Sequence, residues 1–268
     1  MSVIVFLSAA MALLLMDSAL AHGLVEDLEE SRIPLILGGL LPVVLWLIYA
    51  VGAWRVPPTR GRWLAFHAAS LAAALTMFGA FGGWSANSSA IHMIEHMLIM
   101  VFIAPFYVMA RPLPQWRAIS GRTSIWLCMP LLRLSRYPLR AACLQSGAIW
   151  FWHTPKLYNL VLARPWWHLV EHVCLALIAG IFWWSILHRR SALALLALLL
   201  TLMATGMLGA VLTFAHMPLF DDSSSLQDQQ LAGLIMWAPA GLPYLLAGAW
   251  CGRRLLSSKY APSSIKWE

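Results

Sequence analysis

The chain has 268 residues, 61% of them hydrophobic and only 11% charged, with a mean hydropathy of +0.74. Soluble domains carry about 25% charged residues, so a soluble enzyme, a disordered tail and a disulfide scaffold are excluded and the chain reads as an integral membrane protein. The net charge of +7 comes from short Arg-rich clusters set between apolar runs, which is topogenic charge and does not indicate a nucleic-acid groove. Cys128, Cys143, Cys174 and Cys251 form no C-x-x-C, so neither a redox pair nor a zinc knuckle is indicated.

The first element is an apolar run over 3–16, followed by Ser18-Ala19-Leu20-Ala21, which reads as a signal peptide cut after Ala21. The run lacks an N-terminal Lys or Arg and meets Asp17, so a retained N-terminal helix is the alternative. An acidic outer segment, 22–32, comes next. A spanning helix needs about 20 apolar residues, and seven stretches approach this: 33–54, 63–83, 91–109, a short 139–153, 166–187, 192–215 and 230–250. Together they predict an all-α, seven-helix transmembrane bundle over 33–250, followed by a basic cytoplasmic tail, 251–268. The apolar stretch 124–132 is too brief to cross and reads as interfacial or re-entrant. Trp150, Trp152, Trp166, Trp167, Trp183 and Trp184 lie near span ends and read as interfacial belts.

Charge sets the orientation. Of the 18 Lys and Arg, 15 follow spans one, three, five and seven, leaving Arg32, Lys156 and Arg164 on the other side. Glu26, Asp27, Glu29, Glu30, Asp221, Asp222 and Asp228 all fall on that cation-poor side. The prediction is N-terminus outside and C-terminus inside.

Six of the nine histidines then share one layer at the outer boundary. His92 and His96 open span three, His153 ends span four, His168 and His172 open span five, and His216 ends span six. His92-Met-Ile-Glu95-His96 and His168-Leu-Val-Glu171-His172 are both H-x-x-E-H. On a helix, residues i and i+4 share a face, and two imidazoles one turn apart can hold one metal. A glutamate inside a span is costly unless it faces the bundle interior and has a partner. Two copies at equal depth, 76 residues apart, point to facing helices around a shared metal or haem site. Asp228, at the start of span seven, is either a helix cap or a partner of an outer-layer histidine.

Met93 and Met97 lie beside the His92/His96 face and Met217 follows His216. Thioether with imidazole suits copper, Cu(I) especially, whereas carboxylate with imidazole suits zinc, iron or Cu(II); methionine is also common packing filler. Cleavage after Ala21 would make His22 the N-terminus, offering an amine and an imidazole to copper.

These motifs, with Ala104-Pro105, Arg111-Pro112, Trp152-His153-Thr154-Pro155, Leu157-Tyr158, Gly180-Ile-Phe-Trp183-Trp184 and Asp228-Gln229-Gln230-Leu-Ala-Gly233-Leu-Ile-Met236-Trp237, resemble the CtaG-like family of cytochrome c oxidase assembly factors over residues 33–250. The resemblance implies a non-enzymatic, multi-pass protein of the bacterial inner membrane. It also implies a terminal oxidase subunit as partner and copper handled on the periplasmic side, with His92, His96, His153, His168, His172 and Asp228 as candidates. The chain has no outer-facing Cys-x-x-x-Cys, the motif of many soluble copper chaperones, which counts against thiol-based transfer.

Three other readings compete. An intramembrane zinc enzyme would use the glutamate of H-x-x-E-H as general base, but two facing copies suit it poorly. A haem-binding electron carrier could use His96 and His172 as axial ligands. A transporter would place its ionisable residues near the midplane, where this sequence is apolar.

Overall fold

The computed structural model describes residues 28–78, 88–188, 192–220 and 225–259. The 1–21 segment, His22, the end of the second predicted span, Asp221, Asp222 and the tail beyond 259 lie outside the described residues. Every described secondary-structure element is a helix. They are α1 (Leu28–Arg55), α2 (Arg60–Phe78), α3 (Ser89–Ala110), α4 (Leu113–Ser120), α5 (Arg122–Leu134), α6 (Pro138–Trp152), α7 (Pro155–Ala163), α8 (Pro165–Leu187), α9 (Ala192–Thr213), α10 (Leu226–Trp237) and α11 (Gly241–Lys259). Proline opens α6, α7 and α8, where the missing N–H has no helical acceptor to lose and the fixed φ suits a first turn.

Five stretches are long and apolar enough to cross a bilayer: Ile36–Arg55, Ser89–Ala110, Pro165–Leu187, Ala192–Thr213 and Leu226–Ser257. The other two predicted spans correspond to α2, at 19 residues, and α6, at 15. The stretch expected as one helix over 230–250 is instead two, α10 and α11, joined by a turn at Ala238–Ala240. Pro239 lacks the N–H that would continue the helix, and Ala240 N reaches back five residues to the Ile235 carbonyl (3.3 Å). The apolar 124–132 stretch lies within α5, which buries none of its residues and leaves Trp126 77% exposed.

α8 is the central helix, packed against α3, α6 and α1. α3 lies between α8, α10 and α2, and α9 packs on α6 and α10. The α9–α10 contact is close because it is made by two glycines: a Cβ on Gly209 would lie 2.8 Å from the Gly233 carbonyl oxygen, and one on Gly233 would lie 2.5 Å from that of Gly209. Small residues at such crossings let backbones approach where hydrocarbon outside supplies no hydrophobic drive. Leucines at the outer surface, such as Leu245 and Leu246, are exposed as a lipid-facing surface requires.

α3 is π-helical over Leu98–Ile103, with Ala104 N bonding to the Ile99 carbonyl. In that register the Met100 carbonyl would be served by the N–H of residue 105, which is a proline. The Trp183 indole of α8 donates to it instead, at 2.7 Å. Trp183 and Trp152 are buried, so these two tryptophans serve the core and do not form the interfacial belt expected of them. Trp166 and Trp167 remain half exposed at the start of α8.

Candidate metal centre

The first two turns of α3 and of α8 bring the two H-x-x-E-H motifs face to face. Ser88 caps α3, its Oγ accepting from Ile91 N (3.3 Å) and donating to Asp228 Oδ1 of α10 (2.7 Å). Ala90 N donates to Asp228 Oδ2 (3.2 Å). Asp228 is therefore an inter-helix cap. It neutralises orphan donors and the positive end of the α3 dipole, holding the turn that carries His92.

Between the helices the carboxylates cross over. Glu171 Oε2 of α8 lies 3.5 Å from His92 Nε2 and 3.2 Å from His96 Nε2, both on α3. Glu95 Oε2 of α3 lies 3.6 Å from His168 Nε2 and 3.9 Å from His172 Nε2, both on α8. Each glutamate thus reaches the histidine pair of the opposite helix. The imidazole centroids lie 4.2 Å apart for His92 and His96, 4.1 Å for His168 and His172, and 5.5 Å for His96 and His172. In each of three sets the donor atoms lie within 4.8 Å of one another: His92, His96 and Glu171; His92, Glu95 and His168; His168, Glu171 and His172. Metal–nitrogen and metal–oxygen bonds of about 2.0–2.2 Å allow such spacings around a single ion.

The cluster is dry. His92, His96, Glu95, Glu171 and His172 are all buried, and only His168, at 28% side-chain exposure, touches the outside. Both ring nitrogens of His92 and His96, both oxygens of Glu95 and Glu171, and Nε2 of His168 and His172 are buried without a hydrogen bond. Native interiors rarely leave polar atoms in this state; a carboxylate so placed costs several kcal/mol unless compensated. A cation held by one nitrogen from each of several of these histidines and by the facing carboxylates would satisfy part of this set, so the donor chemistry fits a metal.

His153 stands beside this group, its ring 5.6 Å from that of His96. Its Nδ1 donates to the Ile149 carbonyl (2.7 Å), which turns Nε2 to within 3.0 Å of Met93 Sδ. Met93 and Met97 are both buried. His216 and Met217 are exposed in the turn after α9, and no compact donor set among the described residues includes them. Sequence reasoning found the histidines and missed the wall around them. The ring of Tyr158 meets His92 edge-on at 5.4 Å and stacks on Phe220 at 3.8 Å. Its only prior signal was its place in the Trp152–Tyr158 motif.

A helical bundle with five stretches long and apolar enough to cross a bilayer, and a buried, reciprocal His/Glu cluster, is the make-up of a membrane protein with a candidate metal centre. Residues 47–258 match the model of the cytochrome c oxidase caa3 assembly factor family, and the chain belongs to that family. No curated protein and no solved structure matches it.

Proposed function

We propose that this assembly factor binds copper in the α3–α8 cluster and passes it to a terminal oxidase subunit on the periplasmic side of the bacterial inner membrane. Copper is cargo in this reading and the protein catalyses no reaction of its own. The observation that carries it is the crossing of Glu95 and Glu171 between the two histidine pairs, with all their inward atoms unsatisfied. Family membership supplies the oxidase. His92, His96, His168, His172 and the two glutamates hold the ion. Met93, against His153, adds the soft donor that favours Cu(I). Release needs an opening, and His168, the one member with appreciable exposure, is the exit residue.

The chain crosses the membrane seven times in this proposal, N-terminus outside and C-terminus inside, with α2 and α6 as the shorter crossings. The charge asymmetry of the sequence supports that orientation.

The test is metal analysis with optical spectra of detergent-purified protein, wild type against a His92→Ala/His172→Ala double variant. The expected result is about one copper per chain in wild type after loading, lost in the variant, with no Soret band. Zinc in its place would favour an intramembrane metalloenzyme, and a Soret band would favour a haem-binding electron carrier. No metal in either protein would overturn the assignment.

A further inference from the structure

The opposite end of the bundle carries a second polar constellation, chemically the inverse of the first. Arg62 in the first turn of α2, Arg111 at the end of α3, His188 at the end of α8 and Arg254 on α11 line one cavity of about 670 Å³. Four separate helices therefore converge three guanidinium groups and an imidazole on one space. Both ring nitrogens of His188 are buried and without a hydrogen bond, its ring stacked on Trp184 at a centroid distance of 4.2 Å. Arg254 is held in place by donating to the Leu187 carbonyl (3.2 Å) and by lying 4.3 Å over the Trp250 ring.

Among the described residues no carboxylate lines this cavity. Between Glu30 and Glu268 the sequence has only Glu95, Glu171, Asp221, Asp222 and Asp228. The first two belong to the metal centre, Asp228 caps α3, and Asp221 and Asp222 precede α10. Orientation alone requires arginines on one side of the membrane, and arginines away from this cavity, such as Arg133 and Arg136, satisfy that requirement. It does not require three of them to surround a cavity.

The backbone also departs from the ordinary here. Arg111 is the one non-glycine residue with positive φ among the described residues (φ 50°, ψ 60°). An L-residue in this region costs on the order of 1 kcal/mol, which glycine avoids. The strain is placed where it closes α3 and sets the Arg111 side chain at the cavity.

We propose that this cavity binds the phosphate group of an anionic phospholipid. A phosphodiester accepts the guanidinium donors in the geometry that arginine favours, and it accepts from His188 as well. Basic pockets between transmembrane helices on the cytoplasmic side are suited to such headgroups. The cavity is also continuous with the lipid-facing surface: Met109 and Leu246 line it and are 51% and 71% exposed. A headgroup seated on the arginines can therefore leave its acyl chains along the outside of the bundle, whereas a free phosphate would use the polar wall alone. This site is independent of the metal centre.

The experiment uses the full chain in neutral detergent. Native mass spectrometry counts retained lipid, and thermal unfolding is followed with added phosphatidylglycerol, phosphatidylcholine or inorganic phosphate. Wild type is expected to retain about one anionic lipid and to bind phosphatidylglycerol at least tenfold more tightly than phosphatidylcholine. Arg111→Gly/Arg254→Gln, which removes two charges and keeps a residue suited to positive φ, is expected to lose at least tenfold in that affinity. Arg133→Gln/Arg136→Gln, with the same loss of charge outside the cavity, is expected to retain it. Equal binding of the two lipids by wild type would overturn the proposal without recourse to any variant. Equal losses in the two double variants would overturn it too, reducing the effect to general charge attraction. An equal thermal shift with inorganic phosphate would replace the lipid with a soluble anion.

Discussion

Glu95 and Glu171 carry the sharpest expectations of any single residues, because both are buried and their facing partners are imidazoles 3.2–3.9 Å away. An uncompensated buried charge destabilises the metal-free protein, and glutamine of the same size removes that charge. Glu95→Gln/Glu171→Gln should therefore raise the melting temperature of the metal-free protein while abolishing the rise produced by copper. Melts with and without metal check both halves; a fall in the metal-free value would show that the carboxylates are already compensated by the histidines. Met93 tests the softness of the site. Met93→Leu is nearly volume-conserving and should cost less than about 1.5 kcal/mol of stability. It should still weaken Cu(I) binding more than Zn(II) binding, as measured by competition with chelators of known affinity.

At the level of helices, the candidate metal centre depends on contacts distant from it in sequence. Gly209 and Gly233 bring α10 onto α9, α10 presents Asp228, and Asp228 with Ser88 holds the first turn of α3. Asp228→Ala should cost about 1–2 kcal/mol as a lost cap and lower metal affinity about 10–100-fold through the displaced His92 turn. Gly233→Ala, whose methyl would press on the Gly209 carbonyl, should reproduce part of that loss without touching a polar group. Chemical unfolding and metal titration of the two variants distinguish the routes. Trp183→Phe should cost about 1–3 kcal/mol by orphaning the Met100 carbonyl. Much of this level was legible from the amino acids: apolar runs located the helices, and the repeated H-x-x-E-H located the facing pair. Two things were not. A helix break at Pro239 and a π-helical stretch ahead of Pro105 leave hydropathy unchanged, because hydropathy registers side chains and these are events of the backbone. The burial of Trp183 was likewise hidden, since an indole at a span end reads as an interface anchor until a free carbonyl opposite it is seen.

For the whole molecule, the two ends are chemical opposites among the described residues, one gathering histidines with carboxylates and the other gathering arginines around a cavity no carboxylate lines. With the proposed topology, an impermeant chelator should strip copper from right-side-out vesicles and spare inverted ones; the reverse pattern would invert the bundle. The crossed glutamates also bear on how the protein comes into being. His92 and His96 are translated 76 residues ahead of His168 and His172, an interval of roughly 4–15 s at synthesis rates of about 5–20 residues per second. During that interval the first pair has Glu95 beside it but not Glu171, the carboxylate that braces it in the finished fold. A growing chain therefore exposes only half of the candidate site, and if the cluster binds metal as proposed, tight capture waits until the later helix is inserted and docked. Under the proposed function, loading is thereby tied to completion of the bundle, so a truncated or mis-inserted chain would not withhold copper from an oxidase.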